Sequence, residues 1–227
     1  MISPLVNAAA IIAGSLIGML LKKGMPERIS DQVMKALGLC TLYIGITGAL
    51  KGEQTLLLIL SMVLGSLIGA GLDLDLRLNQ FATWLEGRFK KKAEEKRSIA
   101  EGFIAASLLF CVGAMAIVGS LQSGLTGNHE MIFSKSILDF IAAIIFASTL
   151  GIGVAFSAIL VLLYQGSIVL LANGLAPLLT DGVIAEMTSV GSLVIIALAF
   201  NLLGITKLKV MNFVPAIFFP ILLWHFF

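Results

Sequence analysis

The chain has 227 residues, 59% of them hydrophobic, with a mean hydropathy of +1.05 and a formal net charge of +2. Charged residues make up 12%, about half the share of a soluble domain, and a soluble core of this length cannot hide so much apolar surface. The composition excludes a soluble globular protein, and the small net charge gives no basis for a nucleic-acid partner. An all-α, polytopic transmembrane bundle with lipid as its solvent is the fold class expected.

The first apolar run starts near Leu5 with no basic residue before it, while Lys22 and Lys23 follow it. That order predicts a retained first helix rather than a cleaved leader. Cys40 and Cys111 both sit in apolar runs, which reads as buried thiols and not as a disulfide framework. His129 and His225 are far apart and lack metal-ligand spacing. No metal or cofactor is expected.

Eight spans are predicted in chain order: 4–21, 36–50 with an amphipathic lead-in, 55–72, 103–121, two spans within 136–172, 189–204 and 210–227. Several are short, so seven spans with one re-entrant segment is the alternative. The stretch from Ser136 to Ala172 carries one charge, Asp139, and breaks near Gly151-Ile152-Gly153. The whole chain, 1–227, reads as one domain, with repeat regions at 1–72 and 103–227 around a basic loop at 73–102.

Charge sets the expected orientation. Lys22, Lys23, Arg28 and Lys35 follow the first span. Arg77, Arg88, Lys90, Lys91, Lys92, Lys96 and Arg97 follow the third. Two helices separate these loops, so both face the cytoplasm of a bacterial cell membrane, and both termini lie outside. Trp84 and Trp224 fit interfacial anchoring, and Pro215 and Pro220 predict a kinked last span.

Gly14-Ser15-Leu16-Ile17-Gly18 recurs as Gly65-Ser66-Leu67-Ile68-Gly69, with a weaker copy at Gly166-Ser167-Ile168. The first and third copies open units of opposite predicted orientation, which suggests inverted repeats of the kind found in secondary transporters; resemblance through shared apolar composition is the other reading. The glycines four apart are close-packing faces. Their number suggests a homo-oligomer.

Candidate ligand-binding residues cluster after Lys135. Asp139 is an intramembrane carboxylate, suited to a proton or cation, unless it merely caps a helix beside Lys135. Ser148, Thr149, Gly151, Gly153 and Ser157 surround the predicted break, where a helix interruption would bare backbone groups. A simple turn between short spans is the other reading. Tyr164 and Gln165 add hydrogen-bonding groups, and Asn7 and Asn201 are polar residues in or near spans. Interhelical hydrogen bonding explains the last two as well as a pathway does. Metalloprotease, serine-hydrolase, Walker A and aspartyl-dyad signatures are all missing, so an enzyme is not expected.

The run from Leu108 to Ile117, then Lys135-Ser136 and Leu138-Asp139, then Phe146 to Val154, then Tyr164-Gln165-Gly166, resembles the YdfK/YqgA family of bacterial inner-membrane proteins. The region of Asn7 and Gly14 resembles it too, so nearly the whole chain is covered. Phe140 stands where that family often has a glycine after the aspartate. The resemblance implies class and compartment; the family's function is unknown. A secondary carrier or exchanger of a small solute or ion is the first expectation. An oligomeric channel and a non-transport scaffold or regulatory subunit are the alternatives.

Overall fold

The computed structural model describes residues 1–22, 26–80 and 99–226. Expectations for Lys23, Trp84 and the basic residues from Arg88 to Arg97 lie outside the described residues. Those described are helical throughout, without strands: α1 (Ile2–Lys22), α2 (Glu27–Ala49), α3 (Thr55–Gly71), α4 (Leu74–Gln80), α5 (Ile99–Cys111), α6 (Ala114–Thr126), α7 (Glu130–Leu150), α8 (Gly153–Leu170), α9 (Ala172–Leu175) and α10 (Asp181–Leu202). A final segment joins a 3-10 stretch (Val210–Phe218), α11 (Phe219–Leu223) and a terminal 3-10 turn (Trp224–Phe226).

Among these residues, α1, α7, α8 and α10 are individually long and apolar enough to cross a membrane. Two bent pairs, α3 with α4 (48°) and α5 with α6 (59°), raise the number to 6. The first half of α2 carries Glu27, Arg28, Asp31 and Lys35, an amphipathic lead-in that keeps α2 out of this set. The last segment is short, but 3-10 backbone rises ~2.0 Å per residue and stretches it to roughly 30 Å. Pro215 lies inside that 3-10 stretch and Pro220 at the start of α11, as expected for a segment that departs from regular α-helix.

Glycine contacts show how the helices run. A Cβ on Gly14 would strike the Phe140 carbonyl, and one on Gly18 the Ile144 carbonyl, so α1 and α7 are parallel. Gly38 meets Leu203, Gly45 meets Ile196 and Gly48 meets Ser192, so α2 and α10 are antiparallel. Gly65 meets Ala216 and Gly69 meets Asn212, so α3 and the last segment are antiparallel as well. Both Gly-Ser-Leu-Ile-Gly faces are therefore consumed inside the chain, and they supply no free surface for a second copy.

Contacts at the helix ends divide the bundle into two faces. Ser3 bonds Ser123, Glu186 bonds the backbone of Glu53 and Gln54, and Trp224 packs where a Gly182 side chain would stand. These put both termini on one face. On the other, Gly153 meets Ile99, Asn212 bonds Asp75, and Lys209 pairs with Asp73 at 3.2 Å. Among described loop residues, Lys207 and Lys209 lie on this second face and Lys51 on the first.

The seventh predicted span starts too late. α10 begins at Asp181, where the Thr180 hydroxyl accepts from the Val183 N–H. Such a cap starts a helix wherever the chain provides it, before the apolar run begins. The fourth span also differs. It was expected to be continuous over 103–121, yet the chain leaves helical geometry at Val112-Gly113, where Gly113 takes φ 129° and ψ 149°.

Candidate functional site

α7 puts Lys135 and Asp139 one turn apart on one helix face. The Lys135 Nζ lies 2.7 Å from Asp139 Oδ1 and 2.5 Å from Oδ2. The residues are 6% and 5% exposed. Asp139 sits ~13 Å along α7 from Glu130 at 1.5 Å per residue, well into the apolar layer. The ammonium also lies 5.9 Å from the Phe110 ring centroid, over its face, at the end of α5. An ion pair so deep costs several kcal/mol per ion in desolvation, and geometry has to offset it.

α1 completes the arrangement. Asn7 Nδ2 donates to Asp139 Oδ2 at 3.0 Å and to Gln165 Oε1 on α8 at 3.1 Å. Asn7 and Gln165 are 0% exposed. Asn7 Oδ1 and Gln165 Nε2 have no hydrogen-bond partner among the described residues. One spare acceptor and one spare donor thus stand beside a buried charge pair, each leaving about 1–3 kcal/mol of unmet hydrogen bonding. A turn closer to the terminal face, Ser3 Oγ lies 2.6 Å from Ser123 Oγ, which lies 2.8 Å from His129 Nδ1.

Of the residues singled out in the sequence, the structure brings Asn7, Asp139 and Gln165 together. The rest sit apart from that cluster or serve their own helices. Ser148 donates to the Ile145 carbonyl, Thr149 to Phe146 and Ser157 to Val154. Helix geometry does break between Ser148 and Ser157: α7 ends at Leu150, Gly151 takes φ 75° and α8 starts at Gly153. Gly151 and Gly153 are buried against protein, and Gly153 packs on Ile99 of α5. The break is a two-residue turn at the basic face that reverses the chain. Asn201 holds the 201–208 loop, donating to the Leu208 carbonyl and accepting from Thr206 Oγ1 and the Leu208 N–H. It also lines a cavity of about 180 Å³ with Asp75, Asn79 and Glu101.

Tyr164 lines a different cavity, of about 280 Å³, with Ser107, Cys111, Val112 and Phe218. This space lies at the α5–α6 break. Ser107 Oγ is buried there without a partner among the described residues. Sequence reasoning missed this break because Gly113 sits in an unbroken apolar run with no polar residue to flag it. It also left open that Asp139 merely caps a helix beside Lys135, and did not read the two as a buried pair. The Lys135/Asp139 spacing of one helical turn was the available signal.

Comparison with known proteins gives the family. The family described as protein of unknown function (DUF554) matches residues 2–225. This chain belongs to the DUF554 family. It is 34% identical over 224 residues to the uncharacterized membrane protein YdfK of Bacillus subtilis (strain 168), covering 97% of this chain and 94% of that protein. It is 33% identical over 218 residues to the uncharacterized protein YqgA of Escherichia coli (strain K12), covering 95% and 93%. No solved structure matches. In this DUF554 protein no three His, Cys, Asp or Glu side chains gather as a metal site among the described residues. The chemistry on offer is that of a charge pair, two amides and hydroxyls at membrane depth.

Proposed function

We propose that this DUF554 protein is a secondary carrier or exchanger of a small solute or ion, not an enzyme, in a bacterial inner membrane with its termini outside. The observation that carries the proposal is the Lys135–Asp139 pair bonded to Asn7, with Gln165 beside it, across three helices. The pair is neutral as a whole. A proton or cation arriving at Asp139 frees the Lys135 ammonium, which must then lose its own proton or find an anion. Occupancy of the site is thereby tied to charge balance, the requirement for coupled exchange. The α5–α6 break and the adjoining cavity supply an opening at membrane depth, as broken helices do in carriers.

Unit pairing supports the same reading. Gly166 of α8 lies beside Met1, and Gln165 beside Asn7, so α8 runs opposite to α1. α2 and α10 are antiparallel too, as are α3 and the last segment. Three successive antiparallel pairs are what inverted repeats on a dyad in the membrane plane would produce. The basic loop residues on one face favour that face as cytoplasmic.

Reconstitution tests the proposal. Proteoliposomes loaded with a pH-sensitive dye are challenged with gradients of Na⁺, K⁺, amino acids and small carboxylates. A carrier gives a saturable, gradient-driven signal that the charge-balanced variant Lys135→Gln/Asp139→Asn abolishes while it still inserts and folds. Single-channel currents in planar bilayers would mark a channel instead. No movement under any gradient, with a reproducible co-purifying partner, would overturn transport in favour of a scaffold.

A further inference from the structure

Glu186 of α10 is 2% exposed. Its Oε1 accepts from the N–H groups of Glu53 at 2.7 Å and Gln54 at 2.8 Å, the residues that lead into α3. Its Oε2 has no partner among the described residues, and neither does the buried Gln54 Oε1. No described cationic side chain pairs with this carboxylate. Ser189, nearly one turn along α10, donates to the Ala49 carbonyl at 2.7 Å, which leaves its own lone pairs available. Gly52 keeps the space between them open. A Cβ there would lie 2.7 Å from Ser189 Oγ and 2.8 Å from Glu186 Oε2.

The notch at Gly52 therefore presents Glu186 Oε2 and Ser189 Oγ, with no donor for Oε2 among the described residues, and Gln54 adjoins it through the backbone N–H that holds Glu186 Oε1. The two N–H groups at the start of α3 stabilise the charge on Oε1, while Oε2 is left for a cation to satisfy. Hard oxygen donors select cations that favour oxygen, and one carboxylate balances one positive charge. The C-terminal end of α2, at Ala49, adds the negative pole of a helix dipole. We propose that Glu186, Gln54 and Ser189 form a site for a small monovalent cation, sodium, at the mouth of the α2–α3 turn. This site lies between α10 and the α2–α3 turn, whereas the Lys135–Asp139 pair joins α7 to α1 and α8. It stands without the carrier reading and is tested without a transport assay.

Bound sodium ties α10 to the α2–α3 turn, so it raises thermal stability. Purified protein in detergent is melted in NaCl and in choline chloride at equal ionic strength. Sodium should raise Tm by about 3 °C near tenfold saturation. Glu186→Gln keeps one oxygen for the two backbone N–H groups and offers an amide to Gln54, and it should lose the sodium response. Gln54→Leu should weaken it, and decides the matter if Glu186→Gln fails to fold. Equal Tm in sodium and choline for the unaltered protein would overturn the site. That result would mean that a proton on Glu186 or a rotated Gln54 amide satisfies Oε2. A sodium response unchanged in the variants would overturn it equally.

Discussion

Asn7 on α1 and Gln165 on α8 share a hydrogen bond of 3.1 Å while wholly buried, and the same Asn7 nitrogen reaches Asp139 on α7 at 3.0 Å. One amide thereby joins three helices. Asn7→Leu removes both bonds and exposes a buried carboxylate to an apolar neighbour. It should destabilise the protein by about 2–3 kcal/mol, at the upper end for a lost buried bond to a charged group. Gln165→Leu leaves the Asp139 contact intact and should cost about 1 kcal/mol. The double variant should cost less than the two combined, because the shared bond is lost only once. Thermal melts of the four proteins check this; strict additivity would mean that the amides do not interact.

Charge balance governs the neighbouring pair. Asp139→Leu strands an ammonium and Lys135→Met strands a carboxylate, each with side chains only 8% exposed in the native pair. Each should cost about 3–5 kcal/mol and lower the yield of folded protein. Lys135→Met/Asp139→Leu removes both charges and should recover most of that loss. Expression and melting in mild detergent measure it. A double variant as unstable as the worse single change would show that Asn7, not the pair, dominates the local energetics.

The glycine faces give a steric prediction with built-in controls. Gly14→Ala and Gly65→Ala put a methyl group into the Phe140 carbonyl and the Ala216 backbone, respectively. Backbone atoms cannot rotate aside as a side-chain tip does, so α1 and α7, or α3 and the last segment, must separate. Each should cost about 1–3 kcal/mol. Gly71→Ala and Gly174→Ala meet nothing within 4 Å and should be close to neutral. Retained stability in Gly14→Ala with a changed oligomeric state would place that face between subunits instead.

The sequence carried most of the helix order, because apolar runs of the right length have few alternatives in a membrane. α1 at Ile2–Lys22 and α3 at Thr55–Gly71 fall within a residue or two of their expected ends. Asp139, Gln165 and Asn7 were legible as polar groups in spans, but not as one cluster, since no spacing rule links residues on separate helices. The hydroxyls of Ser148, Thr149 and Ser157 drew notice through proximity to the glycine turn. They turn out to serve nearby carbonyls of their own helices, a use that leaves no mark in sequence. Glu186 lies just before the predicted seventh span at 189–204, so nothing in the sequence marks it as buried.

Sidedness can be tested by single cysteines in a Cys40→Ser/Cys111→Ser background. Gly127, Gly174 and His225 lie at one face of the bundle, and Lys207 and Ile205 at the other. A membrane-impermeant thiol reagent applied to intact cells should label the first set, and label the second only after lysis. Labelling of His225→Cys and Lys207→Cys from the same side would show that the last segment does not cross.

Gly113 offers the cleanest separation of backbone strain from packing. A Cβ there would meet nothing within 4 Å, so sterics against neighbours contribute nothing to a substitution. Its φ of 129° and ψ of 149°, however, lie in a region open essentially to glycine alone. Gly113→Ala should therefore cost about 1–3 kcal/mol from the backbone itself. Gly127, at φ 70° and ψ 9°, caps α6 in the left-handed region that asparagine tolerates. Gly127→Asn should be nearly neutral, whereas Gly113→Asn should be as harmful as Gly113→Ala. If the strain is relieved by straightening α5 into α6, the 59° bend closes. The cavity at Ser107, Cys111 and Tyr164 would then change shape. Reactivity of Cys111 toward a small membrane-permeant thiol reagent, in a Cys40→Ser background, reads that change directly. Unchanged stability and unchanged Cys111 labelling in Gly113→Ala would show that the break does not depend on glycine.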